Sequence, residues 1–246
     1  MTSTVLPGVS VCFPVYNEEA TVGGVLQEAH GLLSGSGIDY EIIVCDDGSS
    51  DKSGAVIDDC AGRLGRMRVI HHKANLGIRR TFEELYKEAK KDFVFLNATD
   101  GQWPTGILLE MLPLARDWDI VVAARKEKPY GPVRRFISWS FNAVPVILFG
   151  VRTFDAGAVK LVRREIIGRF PIVSVSPFSE AERLIRAARA GYRITSYTVS
   201  VSSRKTGRSH GVKPGLLLAA LADIFRVAYS VYSGSDKRGD SGDGKR

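Results

Sequence analysis

Short apolar runs alternate with amphipathic helical patterns along the first half of this 246-residue chain. Short apolar runs are typical of strands, and apolar residues spaced three or four apart are typical of helices. Strands are predicted at 9–15, 41–45, 67–71, 93–96 and 119–124, and helices at about 18–33, 51–64, 78–91 and 104–115. Repeated strand–helix–strand order predicts an α/β fold, with a doubly wound, mostly parallel (mixed) sheet, right-handed crossovers and helices on both faces.

Acidic and amide side chains cluster where the predicted strands end. The sequence reads PVYNEE at 14–19, DDGSSD at 46–51, NLG at 75–77 and DGQ at 100–102. Ligands of doubly wound folds bind beyond the carboxyl ends of the strands, so these clusters predict a site at one sheet edge. Helix capping explains a single Asp or Ser there. It does not explain adjacent Asp46 and Asp47, whose carboxylates repel each other unless a cation or a donor-rich ligand lies between them.

The glycine-rich phosphate-binding loops of common nucleotide enzymes are missing from the first half. Neither GxGxxG nor GxxxxGK[ST] occurs there, which disfavours a dinucleotide dehydrogenase or a P-loop enzyme. A nucleotide would then be bound at its base and ribose by Asp or Glu, and its phosphates would be countered by a metal.

Charge is divided unevenly along the chain. Residues 1–124 hold 18 acidic and 11 basic residues, a net charge of −7, whereas residues 125–213 hold 5 and 18, a net charge of +13. The basic half fits an anionic small molecule, a phosphate-bearing acceptor or an anionic membrane. It lacks the interleaved aromatic residues and the motifs of nucleic-acid readers, so no nucleic-acid partner is expected. We interpret 1–124 and 125–213 as two functional halves of one compact domain.

The last two segments differ from this domain. Residues 214–232 predict an amphipathic helix that carries Asp223 and Arg226, a charge pair that is costly in a membrane span. The helix is therefore expected either docked on the protein or lying on a membrane surface. Residues 233–246 contain no apolar residue and are predicted to be disordered. No basic-then-apolar leader opens the chain, which favours the cytoplasm, with the inner face of the membrane as an alternative location.

Taken in order and at these intervals, the four strand-end motifs resemble glycosyltransferase family 2, whose members have the GT-A fold. The second half resembles the dolichol-phosphate mannosyltransferase and polyprenyl-phosphate glycosyltransferase branch. That likeness is carried by Glu182 and by DIVVAAR at 119–125, RRFISWSFN at 134–142, DAGAVKLVRR at 155–164 and RKTGRS at 204–209. It covers roughly residues 9 to 210.

The resemblance implies roles for specific residues. The nucleotide base and ribose would be held by Pro14, Tyr16, Glu18, Asp46 and Asp47. Asp100 and Gln102 would meet Mg²⁺ or Mn²⁺, which prefer oxygen ligands and share phosphate oxygens of the substrate. The acceptor phosphate or the donor diphosphate would be bound by Arg125, Arg134, Ser138 and Arg204, because guanidinium groups match phosphate oxygens in pairs. Asp100, Arg125 and Glu182 are the catalytic candidates, and Glu180 or Glu182 is the candidate base if the acceptor is a hydroxyl.

These implications lead to three alternatives for function. The first is an inverting glycosyltransferase that moves a sugar from a UDP- or GDP-sugar to a polyprenyl phosphate, with peripheral membrane contact. The second is the same transfer to a soluble small-molecule acceptor. The third is a catalytically silent protein that binds sugar nucleotides.

The chain departs from the family pattern at two places. Relatives usually present two acids as D-x-D, but here the first acidic position is Ala98, which leaves ATD at 98–100. Loss of one carboxylate is expected to weaken metal binding without abolishing it, because the diphosphate also supplies oxygens. Arg79 and Arg80 follow the NLG motif where relatives often carry small residues, and could offset phosphate charge or favour an acidic donor sugar.

Overall fold

The computed structural model describes residues 6–126, 132–200 and 214–233. The helices in these residues are α1 Val22–Ser34, α2 Ser53–Leu64, α3 Ile78–Glu88, α4 Ile107–Met111, α5 Pro132–Phe149, α6 Ser179–Arg189 and α7 Pro214–Tyr232. The strands are β1 Val9–Val15, β2 Tyr40–Asp46, β3 Met67–His71, β4 Phe93–Leu96, β5 Ile120–Arg125, β6 Lys160–Arg163 and β7 Ile194–Val199. Short 3₁₀ segments occupy Leu112–Arg116 and Arg164–Ile166.

The strands form one mixed sheet in the order β3-β2-β1-β4-β6-β5-β7. β1, β2, β3 and β4 run parallel to one another, and β5 runs parallel to β7, whereas β6 runs antiparallel to both β4 and β5. Because β6 is reversed, its first residue, Lys160, pairs with the last residue of β4, Leu96. The predicted α/β fold with a mostly parallel, mixed sheet is therefore confirmed, and β6 brings its start to the edge where β4 ends.

Alternate residues of the central strands pack against helices on opposite faces of the sheet. In β1, Val11 and Phe13 join the large cluster that includes residues of α1 and α2, whereas Cys12 joins a second cluster with residues of α3. Side chains alternate between the faces of a strand, so a run that is apolar throughout must be covered on both sides.

Several predicted helices are shorter in the structure. Pro113 has no N–H to donate, so the helix predicted over 104–115 ends as α4 at Met111 and continues as a 3₁₀ segment. α3 ends at Glu88 rather than near Lys91, since the Lys90 amide donates to Glu41 and the Lys91 amide to Ser10. α1 begins at Val22 because the preceding residues form a turn.

The C-terminal helix α7 packs against α6 and the segment before it. Val227 is fully buried, and the buried Asp223 accepts hydrogen bonds from the Val175 and Ser176 amides at 2.9 and 2.7 Å. The opposite face leaves large apolar residues exposed, with Phe225 at 75% and Tyr229 at 78% of full exposure. α7 is thus docked through one face, while its other face stays apolar and open.

Candidate functional site

A cavity of about 610 Å³ lies at the carboxyl ends of β1, β2 and β4. Its walls come from the turns after these strands, the start of α3, the start of β6 and the start of α6. Tyr16, Glu18 and Asp47 line one side, and Asp100 and Trp103 line the β4 side. The motifs at four strand ends therefore meet around one space, as expected for a doubly wound sheet.

The turns after β1 and β2 are joined by reciprocal hydrogen bonds. The Asn17 side chain accepts the Ser50 amide at 2.8 Å, and the Asn17 amide donates to the Ser49 hydroxyl at 3.0 Å. The Glu19 amide donates to Asp51, while the Glu19 carboxylate accepts the Lys52 amide. These bonds hold the two turns together, and the turns carry Glu18 and Asp47 of the cavity wall.

Gly48 is required by the close packing of this wall. Its φ of +68° lies in the left-handed region, and an added Cβ would come within 2.5 Å of the Ala74 carbonyl carbon. Only glycine combines this conformation with such a close approach of two backbones.

Two histidines partner the adjacent acids Asp46 and Asp47. His71 Nδ1 lies 3.2 Å from Asp46 Oδ2, and His72 Nδ1 lies 2.7 Å from Asp47 Oδ1. Asp47 also accepts the Leu76 and Gly77 amides at 2.8 and 2.9 Å, which binds the NLG turn to the end of β2. The cation that the acidic pair was expected to require can thus be supplied from within the protein.

Asp100 lies in a tight turn at the end of β4. The carboxylate is buried, lines the cavity, and accepts the Gln102 amide at 3.0 Å. The guanidinium of Arg125 lies 5.4 Å from the centre of the Trp103 ring and donates two hydrogen bonds to Asp155, at 2.7 and 3.1 Å. The Asp155–Arg125 pair therefore supports Trp103, which faces the cavity.

Glu180, Lys160 and Tyr86 form a polar group on the far side of the cavity. Lys160 Nζ donates to the Ala156 and Ala158 carbonyls at 2.8 and 3.0 Å and lies 3.0 Å from Glu180. The Tyr86 hydroxyl donates to the same Glu180 oxygen at 3.2 Å. Burial raises the pKa of Glu180, but the charges of Lys160 and Arg183 and these hydrogen bonds outweigh it, so the pKa is lowered. Glu180 is therefore held as a carboxylate.

The family of the chain follows from its sequence. The sequence profile of "Glycosyl transferase family 2" matches residues 10–170. The chain belongs to glycosyl transferase family 2. An undecaprenyl-phosphate 4-deoxy-4-formamido-L-arabinose transferase of Aeromonas hydrophila is 30% identical over 170 residues, 68% of this chain and 52% of the relative. The enzyme of the same name from Edwardsiella ictaluri is 29% identical over 61% of this chain and 47% of its own length. The chain thus spans about half the length of the curated relatives it matches.

Solved structures of glycosyltransferases share the fold of this family 2 chain. Glucosyl-3-phosphoglycerate synthase from Mycobacterium tuberculosis, in complex with Mn²⁺, UDP-glucose and phosphoglyceric acid, aligns with a TM-score of 0.70 at 19% identity. The alignment covers 90% of this chain and 80% of that one. A mannosyltransferase from Pyrobaculum calidifontis, in complex with GDP-Man and Mn²⁺, gives a TM-score of 0.59 at 16% identity, over 96% and 77% of the two chains. These similarities confirm the GT-A fold.

The family 2 site contains only part of the residue set expected from the sequence. The cavity is lined by Pro14, Tyr16, Glu18, Asp47 and Asp100. The cavity is not lined by Asp46, Gln102, Arg125 or Ser138. Asp46 accepts the Ser49 amide, and Arg125 lies against the ring of Trp103, which does line the cavity. The backbone of Arg134 lies in α5, but its side chain falls outside the described part of the structure, and so does the whole of Arg204.

Glu182, a catalytic candidate from the sequence, lies in a buried ion pair. Its side chain is fully buried, accepts the Val173 and Ser174 amides at 3.0 and 2.9 Å, and pairs with the buried Arg186 at 2.7 Å. Glu182 does not line the cavity, because α6 turns this side chain toward the 173–174 segment. Glu180, the other candidate base, takes the place on the cavity wall.

The remaining wall residues carry weaker sequence signals. Lys160 and Tyr86 lie in an apolar strand and an amphipathic helix, where pattern alone indicates packing. Arg79, which departs from the family pattern, lines the cavity, whereas Arg80 is exposed and does not. Arginines of the basic half are also used internally: Arg183 and Arg186 are buried and paired with Glu83 and Glu182.

The site offers few protein ligands for a metal. No group of three or more His, Cys, Asp or Glu side chains suited to a metal ion occurs among the described residues. Asp100 supplies a buried carboxylate on the cavity wall, and Ala98 beside it supplies no oxygen from its side chain. Mg²⁺ and Mn²⁺ usually keep several waters and bind through one or two carboxylates plus substrate phosphates. The residues therefore fit a metal that is held jointly by Asp100 and a diphosphate.

Proposed function

We propose that this chain is an inverting glycosyltransferase that transfers a sugar from a UDP- or GDP-sugar to a polyprenyl phosphate. The observation that carries the proposal is the cavity at the carboxyl ends of the strands, where Glu18, Asp47 and Asp100 converge in a chain of family 2. Relatives named as undecaprenyl-phosphate transferases support the acceptor class.

The two ends of the donor would contact different parts of the wall. Tyr16, Glu18 and Asp47 would hold the base and ribose, since carboxylates accept hydrogen bonds from sugar hydroxyls and base N–H groups. Asp100 would bind Mg²⁺ or Mn²⁺, which neutralises charge on the departing diphosphate. Arg79 is a cation on the same wall and would offset further phosphate charge.

The chemistry would be a single displacement at the anomeric carbon. An oxygen of the acceptor phosphate forms a bond to the anomeric carbon while the bond from this carbon to the diphosphate oxygen breaks. The diphosphate leaves from the opposite side, so the anomeric configuration inverts. A phosphate acceptor is already anionic at neutral pH and needs no general base. On this account Glu180 orients the sugar or the acceptor and removes no proton.

Transfer to a hydroxyl of a soluble acceptor is the second candidate. It is favoured by one observation, the buried Glu180 carboxylate on the cavity wall, since a hydroxyl nucleophile requires a base. Glu180→Gln separates the candidates. With undecaprenyl phosphate as acceptor, we expect the variant to keep transfer within about tenfold. With a hydroxyl acceptor, we expect the variant to lose transfer by a factor of about 10² or more, because general base catalysis contributes roughly that much.

A peripheral membrane contact would bring the site to a lipid-linked acceptor. No helix in residues 6–126, 132–200 or 214–233 is long and apolar enough to cross a membrane. Phe225 and Tyr229 of α7 and Ile147 of α5 are exposed, and Tyr232 of α7 stacks on Phe149 of α5 with ring centres 6.2 Å apart. These neighbouring faces fit shallow insertion at a bilayer surface.

The test is a transfer assay with labelled UDP- and GDP-sugars and undecaprenyl phosphate in detergent micelles. The proposal predicts a lipid-phosphate sugar product whose anomeric configuration, read by NMR, is opposite to that of the donor. Vesicle flotation with the Phe225→Ser and Tyr229→Ser double variant tests the membrane contact separately. Retained configuration, or transfer to water only with every donor, would contradict the proposal.

A further inference from the structure

His72 lies between two carboxylates that belong to different elements. Its Nδ1 is 2.7 Å from Asp47 Oδ1, and its Nε2 is 2.8 Å from Glu84 Oε2 on α3. The imidazole is only 6% exposed, so water competes little for either contact. A carboxylate oxygen can only accept, and therefore each contact requires a hydrogen on the ring nitrogen. Neutral imidazole has one N–H, whereas imidazolium has two.

We propose that His72 is a positioning residue that works as an imidazolium, bridging Glu84 to Asp47 and so setting Asp47 for the nucleotide. This rests on the proposed function, in which Asp47 contacts the base and ribose. Asp47 is the link because it lines the cavity and also holds the Leu76 and Gly77 amides of the NLG turn. Through the His72 ring, Glu84 of α3 is thereby linked to Asp47 on the part of the cavity wall that would hold the nucleotide.

Two uncharged groups also contact His72, a backbone carbonyl and a thiol. Its own amide donates to the Asp46 carbonyl at 2.9 Å, and the Asp46 carboxylate is engaged by His71, which also contacts Asp58. Cys45 Sγ of β2 lies 3.4 Å from His72 Nε2. Burial, followed by the charges of Glu84, Asp47 and Asp46, raises the pKa of Cys45 to about 12, so the thiol stays neutral and adds no charge.

The direction of the pH dependence follows from these contacts. Burial lowers the pKa of His72, but its hydrogen bonds to Asp47 and Glu84 and their charges outweigh it, so the pKa is raised above 6.5. A raised pKa means that the bridge is intact at lower pH and is lost as pH rises through the folded-state pKa. Above that pKa the neutral ring can donate to only one carboxylate. Either Asp47 then loses the bond from His72 that orients it, or Glu84 of α3 loses its bond to His72.

The first experiment measures metal-free UDP affinity by calorimetry from pH 6 to pH 9. Metal is omitted so that hydrolysis of the metal ion at high pH does not affect the plot of affinity against pH. Ionisation of UDP itself affects all variants equally. We expect wild-type affinity to fall on the order of tenfold across this range, about the worth of one charge-assisted hydrogen bond. His72→Gln, which keeps a polar side chain but cannot carry the charge, should bind weakly and lose this step.

Two further variants make the result specific. His71→Gln changes the neighbouring histidine, which pairs with Asp46 and not with Asp47, and should keep the wild-type profile. Glu84→Gln leaves Asp47 and His72 in place and alters a partly exposed side chain, so it tests the bridge even if His72→Gln does not fold. It should move the affinity step to lower pH, because it removes one of the two carboxylates that favour imidazolium.

NMR of the imidazole provides a readout that does not depend on nucleotide binding. The proposal predicts that both ring nitrogens of His72 are protonated at pH 6.5 and that the titration midpoint, above 6.5, falls in Glu84→Gln. A single protonated nitrogen at pH 6.5 would overturn it. An equal pH step in wild type and His72→Gln would also overturn it. If wild type binds neither UDP nor GDP at any pH, the proposed function fails, and the NMR titration still decides the charge of His72.

Discussion

The replacement Glu182→Ala tests whether this buried carboxylate supports the fold or the reaction. The change removes the acceptor of two backbone amides, at Val173 and Ser174, and the partner of Arg186. Both side chains of the ion pair are fully buried. Removal of one partner of a buried pair costs about 3–5 kcal/mol, because it leaves the other charge without compensation.

The expected result is a loss of about 3–5 kcal/mol in the free energy of unfolding, measured by urea denaturation. For a chain of this size that corresponds to a drop of about 10 °C in Tm. Nucleotide affinity of the folded fraction should stay unchanged, since Glu182 does not line the cavity. Glu28→Ala, at an exposed glutamate on α1, is the matched control and should change stability by less than about 0.5 kcal/mol.

A double variant, Glu182→Gln with Arg186→Met, sharpens the comparison. Replacing both charges removes the buried guanidinium together with its carboxylate partner, so the double variant should lose less stability than the sum of its single variants. A purely structural role is excluded if Glu182→Ala unfolds within about 1 kcal/mol of wild type and yet loses transfer. That outcome would return Glu182 to a catalytic role.

Two further substitutions test the cavity wall. Gly48→Ala should lower the free energy of unfolding by about 1–3 kcal/mol in a thermal scan and weaken UDP binding, because its Cβ would meet the Ala74 backbone at a positive φ. Gly24→Ala on α1 is the control and should be neutral or stabilising in the same scan, since a Cβ there meets nothing within 4 Å. Ala98→Asp adds a carboxylate to the turn and should tighten Mn²⁺ binding to the UDP complex in calorimetry, whereas unchanged affinity would mean that this turn does not hold the metal.

Much of the fold could be predicted from local pattern. The bounds of β1 and β4 follow from apolar runs covered on both faces, and these runs are visible without tertiary information. The end of α3 could not be predicted, because it depends on bonds to residues far along the chain, such as the Lys90 amide to Glu41. The effect of Pro113 on the fourth helix is local and was available from the sequence.

Some residues of the site could be predicted from local motifs, and others could not. Tyr16, Glu18, Asp47 and Asp100 occur in contiguous motifs at strand ends, and parallel topology brings such motifs together. Glu182 and Glu180 occupy the same helix two residues apart, and only packing against the 173–174 segment decides which one reaches the cavity. The role of His72 depends on Glu84, twelve residues later on a different element, so no local motif points to it.

The proposed function depends on a site for a nucleoside diphosphate and a metal that Asp100 helps to hold. Its most direct test is thermal unfolding of wild type and Asp100→Asn with UDP or GDP, each with and without Mn²⁺, since a ligand that binds only the folded state raises Tm. We predict that one diphosphate stabilises the wild type, that Mn²⁺ increases the shift, and that Asp100→Asn loses only the Mn²⁺-dependent part. No shift of the wild type with either nucleotide, or an equal Mn²⁺ increment in both proteins, would contradict it.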